Sequence, residues 1–266
     1  MPLARVLLYV ATIGAIALVA RSVLVGPVHF AVAAAALVGY IALVLAGVLV
    51  LRLGMFADVL WRGEDDDRGV ALTFDDGPSA AHTPRILDML DDAGVKATFF
   101  VIGRKAADHP EIVRDIAQRG HAVGVHGYQH DRLFSLRSPA YVRADLERAR
   151  RTIEEIVGER PKLFRPPIGH TNAVIAKAAR ALDLTVVGWS VRGLDGVTGA
   201  RPERVAARIA RGLCDGAIVL LHDAAEHDDH EPAAVAALPR ILEAMRRKEL
   251  EGVRVDAWLD AGAEHG

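Results

Sequence analysis

Cysteine is nearly absent from the chain. Cys214 is the only one in 266 residues, so no disulfide forms within the chain and either redox compartment suits it. An excess of basic charge is missing too. Residues 62–266 carry 29 of the 32 Lys and Arg and 33 of the 34 Asp and Glu, a net charge of −4. That argues against a nucleic-acid binder, which would show a basic stripe. No Gly-x-Gly-x-x-Gly follows any strand-like segment, which counts against a doubly wound dinucleotide-binding sheet. No repeat of fixed period occurs, and the one low-complexity tract is apolar.

Charge is absent from one long stretch. Phe30–Leu51 runs 22 residues without an acid or a base, long enough to cross a bilayer. Val6–Ala20, 15 apolar residues between Arg5 and Arg21, reads as a second, shorter span or as a signal-peptide-like segment. The weak cleavage site at Leu18-Val19-Ala20 and the apolar span behind it favour retained segments. Two spans put both ends on one side, and Arg5, Arg52 and Arg62 then favour a cytoplasmic domain; one span leaves the domain outside. Glu64-Asp65-Asp66-Asp67 reads as a solvated linker. The expected organisation is a membrane-anchoring region over residues 1–61, with spans at about 6–20 and 30–51, and a soluble domain over 62–266.

The soluble part alternates between strand and helix. Strand-like runs cover Val70–Phe74, Lys96–Ile102, His121–Val125, Lys162–Arg165, Thr185–Val191, Ala217–Leu221 and Val253–Trp258. Helical periodicity fills the gaps, with Pro110 early in a first turn, Asn172 as a cap, and Gly94, Gly120 and Gly158 as stops. Seven alternations predict parallel strands with helical crossovers, an α/β fold of distorted seven-stranded parallel barrel type.

Barrel enzymes place their chemistry past the C-terminal ends of the strands. The first strand runs into Asp75 and Asp76, and Gly77-Pro78 forces a turn. Two adjacent carboxylates there need a metal, a partner or water, because burying either alone is costly. After the third strand come His126 and His130, four residues apart. The fourth ends at Arg165, and the fifth offers Trp189 and then Asp195. The sixth offers His222 and Asp223. Two imidazoles and one carboxylate make a three-ligand metal site with an open fourth position. A second carboxylate stays free as a base. His222 enters a polar loop as an exposed acid, and Arg165 suits holding a carboxylate ionised. The run His227-Asp228-Asp229-His230 reads as a solvated loop.

Thr73-Phe74-Asp75-Asp76-Gly77, His126-x-x-x-His130, Arg165-Pro166-Pro167-Ile168-Gly169, Trp189-Ser190-Val191 with Asp195, and Leu220-Leu221-His222 resemble, in order, the five motifs of the polysaccharide deacetylase family, carbohydrate esterase family four. The resemblance implies a distorted seven-stranded α/β barrel. It also implies Asp75 as catalytic base and Asp76, His126 and His130 as ligands of one divalent metal ion, usually zinc. Arg165 would orient Asp75, His222 would be the general acid tuned by Asp195, and Leu220 would line a pocket for the acetyl methyl. The second motif usually has Ser or Thr where Gly127 stands. The fourth is usually Asp-x-x-Asp-Trp and here reads Arg192-x-x-Asp195-Gly196, without the Trp of the groove wall. Trp189 reads as core rather than as a substitute for it.

The expected activity is metal-dependent removal of N-acetyl groups from an N-acetylated sugar polymer or oligosaccharide, with carbohydrate and the lipid bilayer as partners. The chain would sit in the cell membrane, and the resemblance favours an extracytoplasmic domain. Two other readings are a deacylase of a lipid-linked amino sugar and a catalytically degenerate sugar-binding module. The intact metal triad, base and acid count against the second.

Overall fold

The structure, a computed structural model, describes residues 1–64, 66–226 and 230–259. It begins with two helices, α1 (Leu3–Leu24) and α2 (Phe30–Leu49), both long and apolar enough to cross a membrane. They pack together as a hairpin, with Thr12 Oγ1 and Tyr40 Oη 3.1 Å apart. No α1 residue is buried, and only Gly47 is buried in α2. Arg5 ties the start of the hairpin to the chain that leaves it, through the Gly54 and Met55 carbonyls and the Asp58 carboxylate.

Eight parallel strands follow: β1 (Val59–Leu60), β2 (Val70–Asp75), β3 (Ala97–Val101), β4 (Ala122–Val125), β5 (Leu163–Phe164), β6 (Thr185–Val187), β7 (Val191–Arg192) and β8 (Ala217–His222). Their order is β1-β6-β5-β4-β3-β2-β8-β7. Helices α3 (Thr83–Asp92), α4 (Gly103–Asp108), α5 (Pro110–Gln118), α6 (Pro139–Val157), α7 (Ala173–Ala181), α8 (Pro202–Gly212) and α9 (Ala233–Arg247) supply the crossovers and cover. The helix starts obey local chemistry. The Ser138 side chain caps α6, and Asn172 accepts the Val174 and Ile175 N–H groups of α7.

The α/β barrel class is as expected, but the strand count is eight rather than seven. The predicted strand 185–191 is two strands. Gly188 N–H donates to Leu60 beside one edge of the sheet, and Ser190 N–H donates to Ile218 near the other. The segment between β6 and β7 thus bridges the seam of the open barrel. The predicted strand Val253–Trp258 does not form: the bridge of Gly252 with Val70 lies just ahead of it, and residues 257–259 are helical. Both edges of β2 are occupied by β3 and β8, which leaves no room for another strand beyond the point where β2 outruns β3. Residues 51–60, ahead of the expected boundary, pack on the sheet, with Leu51, Met55 and Ala57 buried.

Side-chain alternation along the strands sorts the interior from the outside. Leu72, Phe74 and Phe99 face the helices in the main core, with the Phe74 and Phe99 rings stacked at 5.0 Å. Ala71, Phe100, Leu163, Val187 and Ile218 meet in a second cluster inside the barrel. Counting on by twos from these inner positions reaches Thr73 and Asp75, Arg165, and Leu220 and His222. The polar residues at the strand ends therefore face one interior mouth.

Candidate active site

Asp75 ends β2 opposite His222 in the register of β8. Asp76, the next residue, has φ +72°, as His130 has φ +55° after β4. Side chains seldom adopt this left-handed conformation, and its cost is tolerated where the surroundings over-determine it. It turns Asp76 towards the two histidines. Asp76 Oδ1 lies 3.4 Å from His126 Nε2 and 3.1 Å from His130 Nε2. One ligand atom from each of the three residues lies within 4.8 Å of the others.

The partners of the rings set the donor atoms. His126 Nδ1 lies 2.7 Å from the Arg165 carbonyl, so Nδ1 carries a proton to donate and the Nε2 lone pair faces Asp76. His130 Nδ1 stands 3.2 Å from Glu226, and the Glu226 carboxylate also meets Arg132. Asp76 Oδ1 is buried and has no aligned hydrogen-bond donor among the described residues. Burial opposes ionisation of Asp76, but the close approach of His126, with His130 and His222 beyond it, outweighs that and holds its carboxyl far below the usual range. Three converging donor atoms without a proton well placed between them fit a divalent cation with nitrogen and oxygen ligands.

Arg165 sits inside the barrel with no exposure. Its Nη1 donates to Asp75 Oδ1 and to Thr73 Oγ1, each at 2.7 Å, and its Nη2 donates to the Gly188 carbonyl at 2.8 Å. The guanidinium lies over the Phe100 ring, 4.2 Å from its centroid. Burial pulls the Arg165 pKa down, and the Asp75 carboxylate opposes that. One Asp75 oxygen is thereby held, while Oδ2 stands 3.8 Å from His126 Nε2.

Asp195 Oδ2 accepts the His222 backbone N–H at 2.7 Å and lies 3.2 Å from His222 Nδ1. Burial disfavours the imidazolium, but Asp195, then Asp76 and Asp75, overcome it and raise the His222 pKa to about 10. The ring keeps 22% of its surface exposed, towards a cavity of about 440 Å³ that Asp75, Asp76, His126, His130 and Leu220 also line. Leu220 is 9% exposed. Trp189 packs against the core and lines this cavity as well. A Cβ at Gly196 would lie 3.1 Å from the His222 ring. All eight residues expected from the sequence thus gather at one mouth. His227, Asp228 and Asp229 lie outside the described residues, and His230 lines the cavity.

Three contributors were not anticipated. Thr73 accepts from Arg165 and donates to Val219. Glu226 backs His130 from a polar loop in which nothing singles it out. Asp145, buried in α6, accepts the N–H groups of Tyr128 at 2.8 Å and Gln129 at 3.1 Å. It braces the His126–His130 loop at the place where Gly127 brings no hydroxyl. Its burial pushes its pKa up against those two donors. Asp145 does carry a signal: an acid set between Val142, Leu146 and Ala149 on the apolar stripe of a helix.

The sequence model of the polysaccharide deacetylase family matches residues 62–187. A peptidoglycan-N-acetylglucosamine deacetylase of Bacillus cereus is 33% identical over 204 residues, covering 76% of this chain and 92% of the relative. A chitooligosaccharide deacetylase of Bradyrhizobium is 37% identical over 196 residues, covering 69% and 87%. Among solved structures, the Bc1960 peptidoglycan N-acetylglucosamine deacetylase superposes with a TM-score of 0.69 at 30% identity, over 75% of this chain and 92% of that one. A CE4 family pseudoenzyme from Bacillus anthracis superposes with a TM-score of 0.69 at 25% identity, over 78% and 71%.

Proposed function

From this chain's membership of the polysaccharide deacetylase family, we propose that it is a membrane-anchored, metal-dependent amide hydrolase that removes the acetyl group from an N-acetylated sugar. The observation that carries the reading is one cavity holding the Asp76-His126-His130 cluster, a carboxylate clamped by a buried arginine, and a histidine paired with the buried Asp195.

Asp76 Oδ1, His126 Nε2 and His130 Nε2 would hold the metal, most simply zinc. Bound there, the ion supplies Lewis acidity, which polarises an amide carbonyl and lowers the pKa of water to about 7. Asp75 acts as base. Its Oδ1 is engaged by Arg165, so its other oxygen takes the proton as water adds to the carbonyl carbon. His222 gives a proton to the departing nitrogen as the carbon–nitrogen bond breaks, and acetate and a free amine result. Asp195 keeps His222 charged until then. Leu220 offers an apolar wall for the acetyl methyl. The same fold occurs in a solved pseudoenzyme, so turnover decides. Zinc-loaded protein is expected to deacetylate an N-acetylglucosamine oligosaccharide, and His126→Ala to lose both metal and turnover. An intact metal content in that variant would refute the ligand set, and no turnover by loaded wild type would leave a sugar-binding module.

The hairpin of α1 and α2 supports the anchoring role. Its faces are apolar and uncovered, and Arg5 and Arg52 lie at the end next to the barrel while Arg21 lies near the far end.

A further inference from the structure

The end of α2 reaches the wall of the catalytic cavity. Thr171 N–H donates to the Val48 carbonyl at 3.1 Å, joining the last turn of α2 to the loop behind Arg165. Beside this joint lies a second cavity of about 400 Å³, with residues 49–52 on one side and Trp189, Ser190 and Arg192 on the other. Trp189 and Arg192 line the catalytic cavity too, so the two cavities share a wall.

Charge sets the character of the second cavity. Arg52 is the first Lys, Arg, Asp or Glu after Arg21, so with α2 in a bilayer it stands at the level of the headgroups. Arg192, where the fourth motif departs in charge sign, faces the same space. Both side chains are exposed, and neither pairs with a carboxylate among the described residues. Two unneutralised guanidinium groups around one hollow, with apolar Leu49, Val50 and Leu51 beside them, match a phosphate joined to a hydrocarbon chain.

We propose that this cavity receives the phosphate of a membrane lipid that carries the N-acetylated sugar. The substrate is then a lipid-phosphate-linked amino sugar whose acetamido group reaches into the adjoining site. The inference rests on the deacetylase reading and on α1 and α2 lying in the membrane.

The test uses the full, zinc-loaded chain in detergent micelles and three substrates: N-acetylglucosamine phosphate esterified to a long-chain alcohol, free N-acetylglucosamine phosphate, and a phosphate-free N-acetylglucosamine oligosaccharide. The lipid-linked substrate is expected to have the highest kcat/KM. Arg52→Gln and Arg192→Gln are each expected to lower its kcat/KM relative to the oligosaccharide by about tenfold, chiefly through KM. Adding Arg52→Gln to Asp75→Asn is expected to weaken equilibrium binding of the lipid-linked substrate by a similar factor. An unchanged ratio in both variants, with the oligosaccharide still turned over, overturns this inference and leaves the deacetylase reading standing. Free sugar phosphate performing as well as the lipid-linked form, with the same arginine dependence, overturns the lipid assignment. No turnover of any of the three by wild type removes the deacetylase reading and this inference with it.

Discussion

Arg165 and Asp75 form an ion pair inside the barrel, 2.7 Å between Nη1 and Oδ1, with the guanidinium wholly enclosed. The pair joins β5 to β2 from within, and Thr73 and the Gly188 carbonyl take further guanidinium protons. A barrel interior is a costly place for two charges unless their remaining hydrogen bonds are made. Here the guanidinium makes them, and one carboxylate oxygen is left for chemistry.

Removing only the cation strands the carboxylate. Arg165→Met is expected to lower stability at neutral pH by about 3–5 kcal/mol, measured by denaturant unfolding of metal-free protein. Combining it with Asp75→Asn should recover much of that loss, because both charges are then gone. A double variant as unstable as Arg165→Met would show that packing, not the stranded charge, sets the cost.

Asp75 and Asp76 are neighbours with separate expected roles. Asp75→Asn keeps the three metal ligands and loses the base, so metal content should hold while the deacetylation rate falls by about 10²–10⁴. Asp76→Asn should lose both. Metal analysis and rate on the same two preparations decide, and the opposite pattern exchanges the roles.

His222 sets the alkaline behaviour. Its folded pKa of about 10 is above the ordinary 6.5. The stability it contributes is therefore complete below about 6.5 and fades as pH rises through about 10. NMR titration of metal-free protein should find the ring still charged at pH 8. Asp195→Asn should move the transition down towards neutral. In the loaded enzyme a cation beside Asp76 and Asp75 offsets their pull on His222, so the alkaline limb of the rate profile should fall below pH 10. Titration of His222 near pH 6 in wild type would rule this out.

Asp145 acts on the metal through the loop it braces. Asp145→Ala leaves the Tyr128 and Gln129 N–H groups without their acceptor, and His126 and His130 then lose their fixed setting. Metal affinity is expected to fall about 10–100-fold, read by competition with a chelator. Affinity within twofold of wild type would mean that the backbone alone holds the loop.

The stretch ahead of the barrel pairs with the sheet and is expected to contribute to folding. A chain beginning at residue 51 keeps β1 and the core residues Leu51 and Ala57, whereas one beginning at residue 62 lacks them. The shorter chain is expected to be less stable by about 3 kcal/mol or more, from the lost apolar burial. Equal denaturation midpoints would put the domain start at residue 62.

Most of the alternation of strands and helices after Val70, the uncharged spans, and the placing of Asp75, Asp76, His126, His130, Arg165, Asp195 and His222 at or just past strand ends were legible in the chain. Each depends on local spacing: an apolar run of strand length, a cap or a breaker, and a polar residue straight after. What local spacing could not reveal was which edges of the sheet were free. Thr185–Val191 reads as one strand, yet tertiary structure splits it across the seam because its two halves find partners on opposite sides. Val253–Trp258 has strand composition but meets a β2 whose neighbours are already in place. Nor could spacing show that Asp145 faces Gly127, or that Arg52 at the end of α2 shares a hollow with Arg192. Those pairs lie far apart in the chain, and only the closing of the barrel brings them together.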